Sequence, residues 1–296
     1  MGRLAGRQQP NLVNAKLRRG FTRGLQMAIV NRVKRPAHHC KRPHDQLFSA
    51  HQLNPTNSKA SQTLRIDTAP PGRKEIQLLT TADFDVDAQQ LARRLIGTII
   101  RHRVNRVWLA AQVIETEAYY LSDKGSHASL GRTRSREPLF MPAGTIYMYY
   151  ARGGDSLNFS ARGDGNAVLI KSAIPAIEYM SSVALEKMIA NNPTRDGGVR
   201  PLDRLCAGQT LLCRALALTV PKWTGRFLIP GSLEVLDVCD TPEEIVQAKR
   251  LGIPEGRDQH LPYRFVDRRH LQSATQNPVR RSQLEGRDYE ILRRRD

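Results

Sequence analysis

Long apolar runs are missing from this chain. Nowhere in its 296 residues do apolar positions approach the roughly 18 in succession that a spanning helix needs. A membrane-spanning protein is excluded on that ground, and no membrane partner is expected. Cysteine is scarce: there are four, Cys40, Cys206, Cys213 and Cys239, and none forms a C-x-x-C pair. Spacings this wide do not make a disulfide scaffold and fit a reducing, intracellular compartment. His38-His39-Cys40, with His44 nearby, has metal-ligand chemistry but no sign of a scaffold, so no metal is expected. Aromatic residues are only 6% of the chain, so tyrosines that cluster are informative. Acidic residues are absent before Asp45.

Positive charge is what the chain has in excess. Lys and Arg number 46 against 28 Asp and Glu, a net of +18. The excess is uneven, because residues 1–75 hold 15 basic and 3 acidic residues. A basic chain suits a polyanionic partner, since each phosphate neutralised releases counterions. An Arg-rich composition inherited from the genome is the plain alternative.

Residues 1–77 mix Arg, Gln, Asn, Ser and Pro without sustained periodicity and read as a basic, disordered extension. They superficially resemble a transit peptide, but no amphipathic stretch supports that; Met27 is a possible alternative start. Order is expected from residue 78. Asp87 is placed to cap a helix with Leu91, Ala92, Leu95 and Ile96 on one face and Gly97 as its stop. Residues 98–103, 107–118, 145–150 and 166–172 read as strands, and 121–143 as loop. Residues 178–190 and 209–218 read as helices, 233–238 and 263–267 as late strands, and 268–296 as a polar basic tail. Helices and strands do not alternate, so the class is α+β and not a doubly wound sheet.

Val113-Ile114-Glu115-Thr116-Glu117-Ala118-Tyr119-Tyr120 carries two carboxylates at the end of an apolar strand. A period of two points both to one face. Two unpaired carboxylates are costly in a core, so at least one should face a polar pocket, where it could serve as a general base. A strand end reaching solvent or an arginine is the alternative. Ser126-His127-Ala128 follows within ten residues. Tyr147 and Tyr149 share a strand face opposite Tyr150, and Asn158 comes soon after. Such rings can hold a planar base, at about 1–3 kcal/mol per stacked base, or pack an ordinary core. Arg132, Arg134 and Arg136 sit in a loop that could grip phosphates or simply be solvated.

From Leu91 to Pro175 the chain resembles the alkyladenine (3-methyladenine) DNA glycosylase family, bacterial type. The resemblance is carried by A-R-R-L-I-G-T at 92–98, V-I-E-T-E-A-Y at 113–119, S-H-A at 126–128 and G-R-T at 131–133. Phe140, P-A-G-T-I-Y-M-Y at 142–149, Leu157-Asn158 and G-D-G-N-A-V-L-I-K at 163–171 continue it. Leu205-Cys206-Ala207-Gly208 with Ala215-Leu216, and Pro262-Tyr263-Arg264-Phe265, extend it to about 78–267. Several spaced motifs in order are far more specific than one.

The resemblance implies a single mixed domain over 78–267: a curved, mostly antiparallel sheet or partial barrel with flanking helices. It implies a monofunctional base-excision enzyme that flips a damaged purine from duplex DNA and hydrolyses its glycosidic bond. Glu117 would be the general base, with Lys171 where the family has Arg beside the water. Tyr119, His127 and Tyr149 would hold the base, and Asn158 would exclude normal guanine. Arg132, Arg134, Arg136, Ala151 and Arg152 would meet DNA. No cofactor is implied, a monomer is expected, and the place of work would be the bacterial cytoplasm, at the nucleoid. A non-catalytic nucleic-acid-binding protein on the same fold is the alternative.

Besides Lys171, three departures stand out. The turn between Tyr149 and Asn158 is one residue shorter than usual, so the family's Tyr wedge falls near Ala151 or Arg152. Thr133-Arg134-Ser135-Arg136 replaces the usual Thr-Pro-Arg-Asn. Gly208-Gln209-Thr210-Leu211 lacks the usual Pro and Lys.

Overall fold

The computed structural model describes residues 76–151 and 153–293. All of them belong to the second of the two units into which the chain divides, Asn57–Asp296. The expectations for residues 1–75, including Met27 and the His38-His39-Cys40 cluster, and that for Arg152, lie outside the described residues. No helix among the described residues is long and apolar enough to cross a membrane.

The described residues are α+β. Ten strands form one antiparallel sheet: β1 (Gln77–Leu78), β2 (Ile99–Val104), β3 (Val107–Tyr119), β4 (Ile146–Ala151), β5 (Gly154–Ser160), β6 (Ala167–Pro175), β7 (Leu233–Asp237), β8 (Glu244–Ala248), β9 (Arg264–Asp267) and β10 (Tyr289–Arg293). The path runs β1-β7-β2-β3-β6-β5-β4 and is not closed. Strand β3 is its spine. Along one edge β6 pairs with Ala111–Tyr119. The other edge is shared: β2 takes Val107–Gln112, and β9 takes Glu115–Glu117. The register shifts between Val113 and Thr116. A bulge bends and twists a strand, so the sheet forks here into a β2-β7-β1 branch and a β9-β8-β10 branch.

Five helices flank the sheet: α1 (Thr81–Phe84), α2 (Ala88–Leu95), α3 (Ser182–Asn191), α4 (Gln209–Ala215) and α5 (Val220–Trp223). Helix α2 follows from its sequence. The Asp87 carboxylate accepts from the N–H groups of Gln89 and Gln90 at 2.9 and 3.2 Å. Ala88, Leu91, Ala92 and Leu95, spaced three and four apart, are fully buried. The Tyr120 hydroxyl donates to Asp87 at 2.8 Å and so ties this cap to the end of β3. Helix α3 starts later than periodicity suggests, at the Ser181 cap, whose side chain accepts from the Ala184 N–H.

Some elements were not expected. Strands β5 and β8 carried no clear sequence signal. The segment after Asp267, expected as a polar tail, instead forms a 3-10 turn at Arg268–Ser273 and then β10, paired to β8. Its anchors are Leu271, Val279 and Tyr289, which pack on buried Val246, Val266 and Ala274. Three apolar residues spread through a basic stretch leave no local period to read.

Gly97 joins α2 to β2 at φ +89°, and a Cβ there would lie 2.3 Å from the Asp240 carbonyl oxygen. Gly231, at φ +80°, has nothing within 4 Å of the same point. Gly231→Ala should therefore cost only the left-handed strain, about 1–2 kcal/mol. Gly97→Ala should cost at least about 2 kcal/mol more, through the clash with backbone. Urea denaturation of both variants checks this; equal losses would show that the approach of Asp240 is not rigid.

Candidate active site

The fork in the sheet creates the site. The Thr116 hydroxyl donates to the Ala92 carbonyl at 2.8 Å, against α2. The neighbouring carboxylates, two residues apart on β3, find separate partners. Glu115, fully buried, accepts from Arg264 Nε at 2.7 Å and from the Thr275 N–H at 2.7 Å. It is a structural ion pair that pins the Thr275–Gln276 segment against the sheet.

Glu117 is also fully buried, but it sits beside a cavity of about 620 Å³. The Tyr119 hydroxyl donates to its Oε2 at 2.7 Å. The Leu251 N–H donates to Oε1 at 3.0 Å. The Lys171 ammonium lies 3.4 Å from each oxygen. Burial pushes this carboxyl up. Lys171, the Leu251 N–H, the Tyr119 hydroxyl and the field of Arg264 outweigh it and hold Glu117 below its ordinary value. A buried carboxylate that stays ionised beside a cavity is placed to act as a base.

The cavity walls are aromatic. Tyr119, His127, Tyr147 and Tyr149 line it, with Asn158, Lys171 and Ala151. Strand alternation puts Tyr147 and Tyr149 on the cavity side, stacked at 5.5 Å and 26°, while Tyr150 points out, 67% exposed. His127 meets the Tyr149 ring at 4.3 Å and 62°, and its Nδ1 is hydrogen-bonded to the Tyr147 hydroxyl at 2.9 Å. Although His127 is exposed at the mouth, partial desolvation and the charges of Arg136 and Arg257 hold its imidazole below its ordinary value. Burial raises the phenols of Tyr119, Tyr147 and Tyr149. These four rings are therefore neutral at pH 7. Asn158 faces Tyr147 across the β4–β5 pair, and its Nδ2 donates to the Tyr147 carbonyl at 3.0 Å. The side-chain amide is fixed in place on the cavity wall.

The arginine loop is not part of the cavity lining. Arg132 donates to Glu137 at 2.8 Å through Nε. Arg136 donates to the carbonyls of Leu130 and Gly131 and so shapes the loop. Arg134 is exposed.

Other residues complete the site without having stood out in the sequence. Leu251 contributes only a backbone N–H, which has no residue signature. Gln209 lines the cavity and donates to the Ser156 hydroxyl at 2.9 Å. Arg257 joins the two rim loops by donating to the Lys124 carbonyl at 2.8 Å. Arg250 pairs with Asp123 behind the Tyr119 ring. Gly252 and Pro254, in the loop after β8, also line the cavity. Among the described residues, no group of three or more His, Cys, Asp or Glu could hold a metal ion.

Comparison with known proteins gives the family. The sequence profile of the methylpurine-DNA glycosylase family matches residues 82–271. A protein of Pseudomonas syringae pv. tomato is 60% identical over 210 residues, 71% of this chain and 94% of its own. One from Pseudomonas aeruginosa is 58% identical over 214 residues, 72% of this chain and 90% of its own. One from Methanoculleus marisnigri is 32% identical over 194 residues, 63% and 93% respectively. Each is named as a candidate 3-methyladenine DNA glycosylase. The matched span holds strands β2 to β9, the buried Glu117 and the four aromatic residues of the cavity, and this chain belongs to the methylpurine-DNA glycosylase family.

Proposed function

We propose that this chain is a DNA base-excision repair glycosylase that binds double-stranded DNA, takes up a flipped-out alkylated or otherwise damaged purine of the 3-methyladenine class, and hydrolyses its N-glycosidic bond. An abasic site is left. The observation that carries this reading is the buried Glu117, held ionised by Lys171, Leu251 and Tyr119, which themselves line an aromatic cavity. The cavity volume is within the usual range for small-ligand pockets.

Glu117 takes a proton from a water at the Lys171 edge of the cavity while that water attacks the sugar carbon. The carboxylate also stabilises the positive charge that develops on the sugar. Tyr119, His127 and Tyr149 stack on the base, which gains roughly 1–3 kcal/mol per stacked ring. Asn158 crowds an exocyclic amine at the position normal guanine would occupy. Lys171 is held against Glu117 and serves its charge, so no strand cleavage through a lysine adduct is expected. Arg132, Arg134, Arg136 and Ala151 meet the DNA, as does Arg152, which lies outside the described residues. The enzyme acts as a monomer, in the cytoplasm with the nucleoid. A binding-only protein has no use for an ionised carboxylate near a polyanion, which disfavours that alternative.

Glu117→Gln should reduce base release from methylated duplex DNA by about 10²–10⁴-fold while lesion binding persists. Chromatography of the freed bases and a gel-shift titration read the two quantities. Substantial turnover in this variant would remove Glu117 from the base role.

Asn158→Ser should open the cavity to guanine lesions and raise their excision relative to adenine lesions. An unchanged ratio contradicts the steric role.

In single-turnover kinetics the acid limb of the wild-type rate should lie below 4.5, the ordinary value of a glutamate, because Glu117 is held low. Lys171 favours the charged form, so Lys171→Met should leave burial dominant and move the limb to higher pH. A limb that stays put would mean that another group controls the rate.

A further inference from the structure

The Arg250 side chain has no exposed surface. Its guanidinium carbon lies 4.5 Å over the Tyr119 ring and 5.5 Å over the Tyr263 ring. It forms an ion pair with Asp123, Nη2 donating at 2.9 Å, and Nη1 donates to the Ala118 carbonyl at 3.2 Å. Its Nε is buried without a partner. Tyr119 lines the cavity and Arg250 does not. One face of the Tyr119 ring thus carries a cation, and the other is left to the cavity.

The two faces of a ring share one pool of π density. A cation on one face draws on that density and repels a second cation across the ring. A base that arrives positively charged therefore gains less from Tyr119 than from an unoccupied ring. A neutral purine is in the opposite situation. When its glycosidic bond breaks, the bond pair leaves with the purine and negative charge gathers on it. The water oxygen joins the sugar carbon, the water proton goes to Glu117, and the departing purine takes a proton from solvent. A fixed cation behind the ring stabilises that developing charge.

We propose that Arg250 is a specificity-determining residue that, acting through the Tyr119 ring, biases the cavity towards neutral purine lesions and against cationic ones. Asp123 sets the strength of the bias, because its carboxylate cancels part of the Arg250 charge. The inference rests on the glycosylase reading above and adds the charge of the preferred substrate.

The test compares kcat/KM on duplex DNA carrying hypoxanthine, which is neutral, and on duplex DNA carrying 3-methyladenine, whose nucleotide is cationic. Arg250→Met with Asp123→Asn removes the pair as a unit and leaves no lone buried charge. It should lower the neutral-to-cationic ratio by about threefold or more. Asp123→Asn alone strips the counter-charge and should raise the ratio. Mere loosening of Tyr119 lowers both rates together and does not drive the two variants apart. If the double variant fails to fold, the sign of the Asp123→Asn change decides. A ratio that stays fixed, or that moves the same way in both variants, overturns the proposal while the glycosylase reading stands. A wild type that releases neither base overturns both.

Discussion

A carboxylate kept charged inside a protein needs partners from every side, and Glu117 obtains them from four parts of the chain. Burial opposes the charge. Tyr119 opposes burial from the same strand, Lys171 from β6, the Leu251 N–H from the loop after β8, and Arg264 from β9. Few simple sheets could deliver those groups to one point. A change of partner along one edge of β3 allows it, because the pairing with β2 ends at Gln112 and that with β9 begins at Glu115. The β9-β8 branch then brings the Leu251 loop to the carboxylate. The fork is a requirement of the charge as much as a feature of the fold.

The same demand explains what could be read from the sequence. Helix α2 was legible because its cap, its apolar spacing and its Gly97 stop all point to one structure. The Tyr147 and Tyr149 face was legible because alternation is a property of any strand. Strand β5 was not. Its Leu157 and Phe159 are buried, but Ser156 and Asn158, which alternate with them, are buried too, and the latter faces the cavity. A strand that serves a polar cavity loses the apolar contrast by which strands are recognised. Strand β10 was obscured differently, since its apolar anchors are spaced by tertiary contacts and not by local period.

The candidate site divides along the same line. Glu117, Tyr119, His127, Tyr149, Asn158 and Lys171 were named from motifs, and the structure gathers them around one cavity. What escaped are the groups that hold those residues. The Leu251 N–H is backbone and leaves no mark on the sequence. Arg250 and Asp123 are 127 residues apart, and each alone reads as an ordinary surface charge. Glu115 stood out as a carboxylate on an apolar strand, but nothing in the sequence paired it with Arg264, 149 residues away. Supporting ion pairs of this kind are made by topology, so they become visible only once β9 and β8 are placed beside β3.

Lysine at 171 shows how this arrangement balances holding and use. Its ammonium is 3.4 Å from both oxygens of Glu117, longer than a good hydrogen bond. It contributes charge without occupying the lone pairs. A guanidinium fork at the same place would bind both oxygens along their best directions. The carboxylate already accepts from Tyr119 and Leu251 at 2.7 and 3.0 Å, one bond to each oxygen. Each oxygen therefore keeps capacity for one more donor, and an attacking water is such a donor. The site stabilises the charge by field and leaves each oxygen with unused hydrogen-bonding capacity. That division follows from a point charge standing at a distance, with the tight hydrogen bonds assigned to groups that approach from the sides.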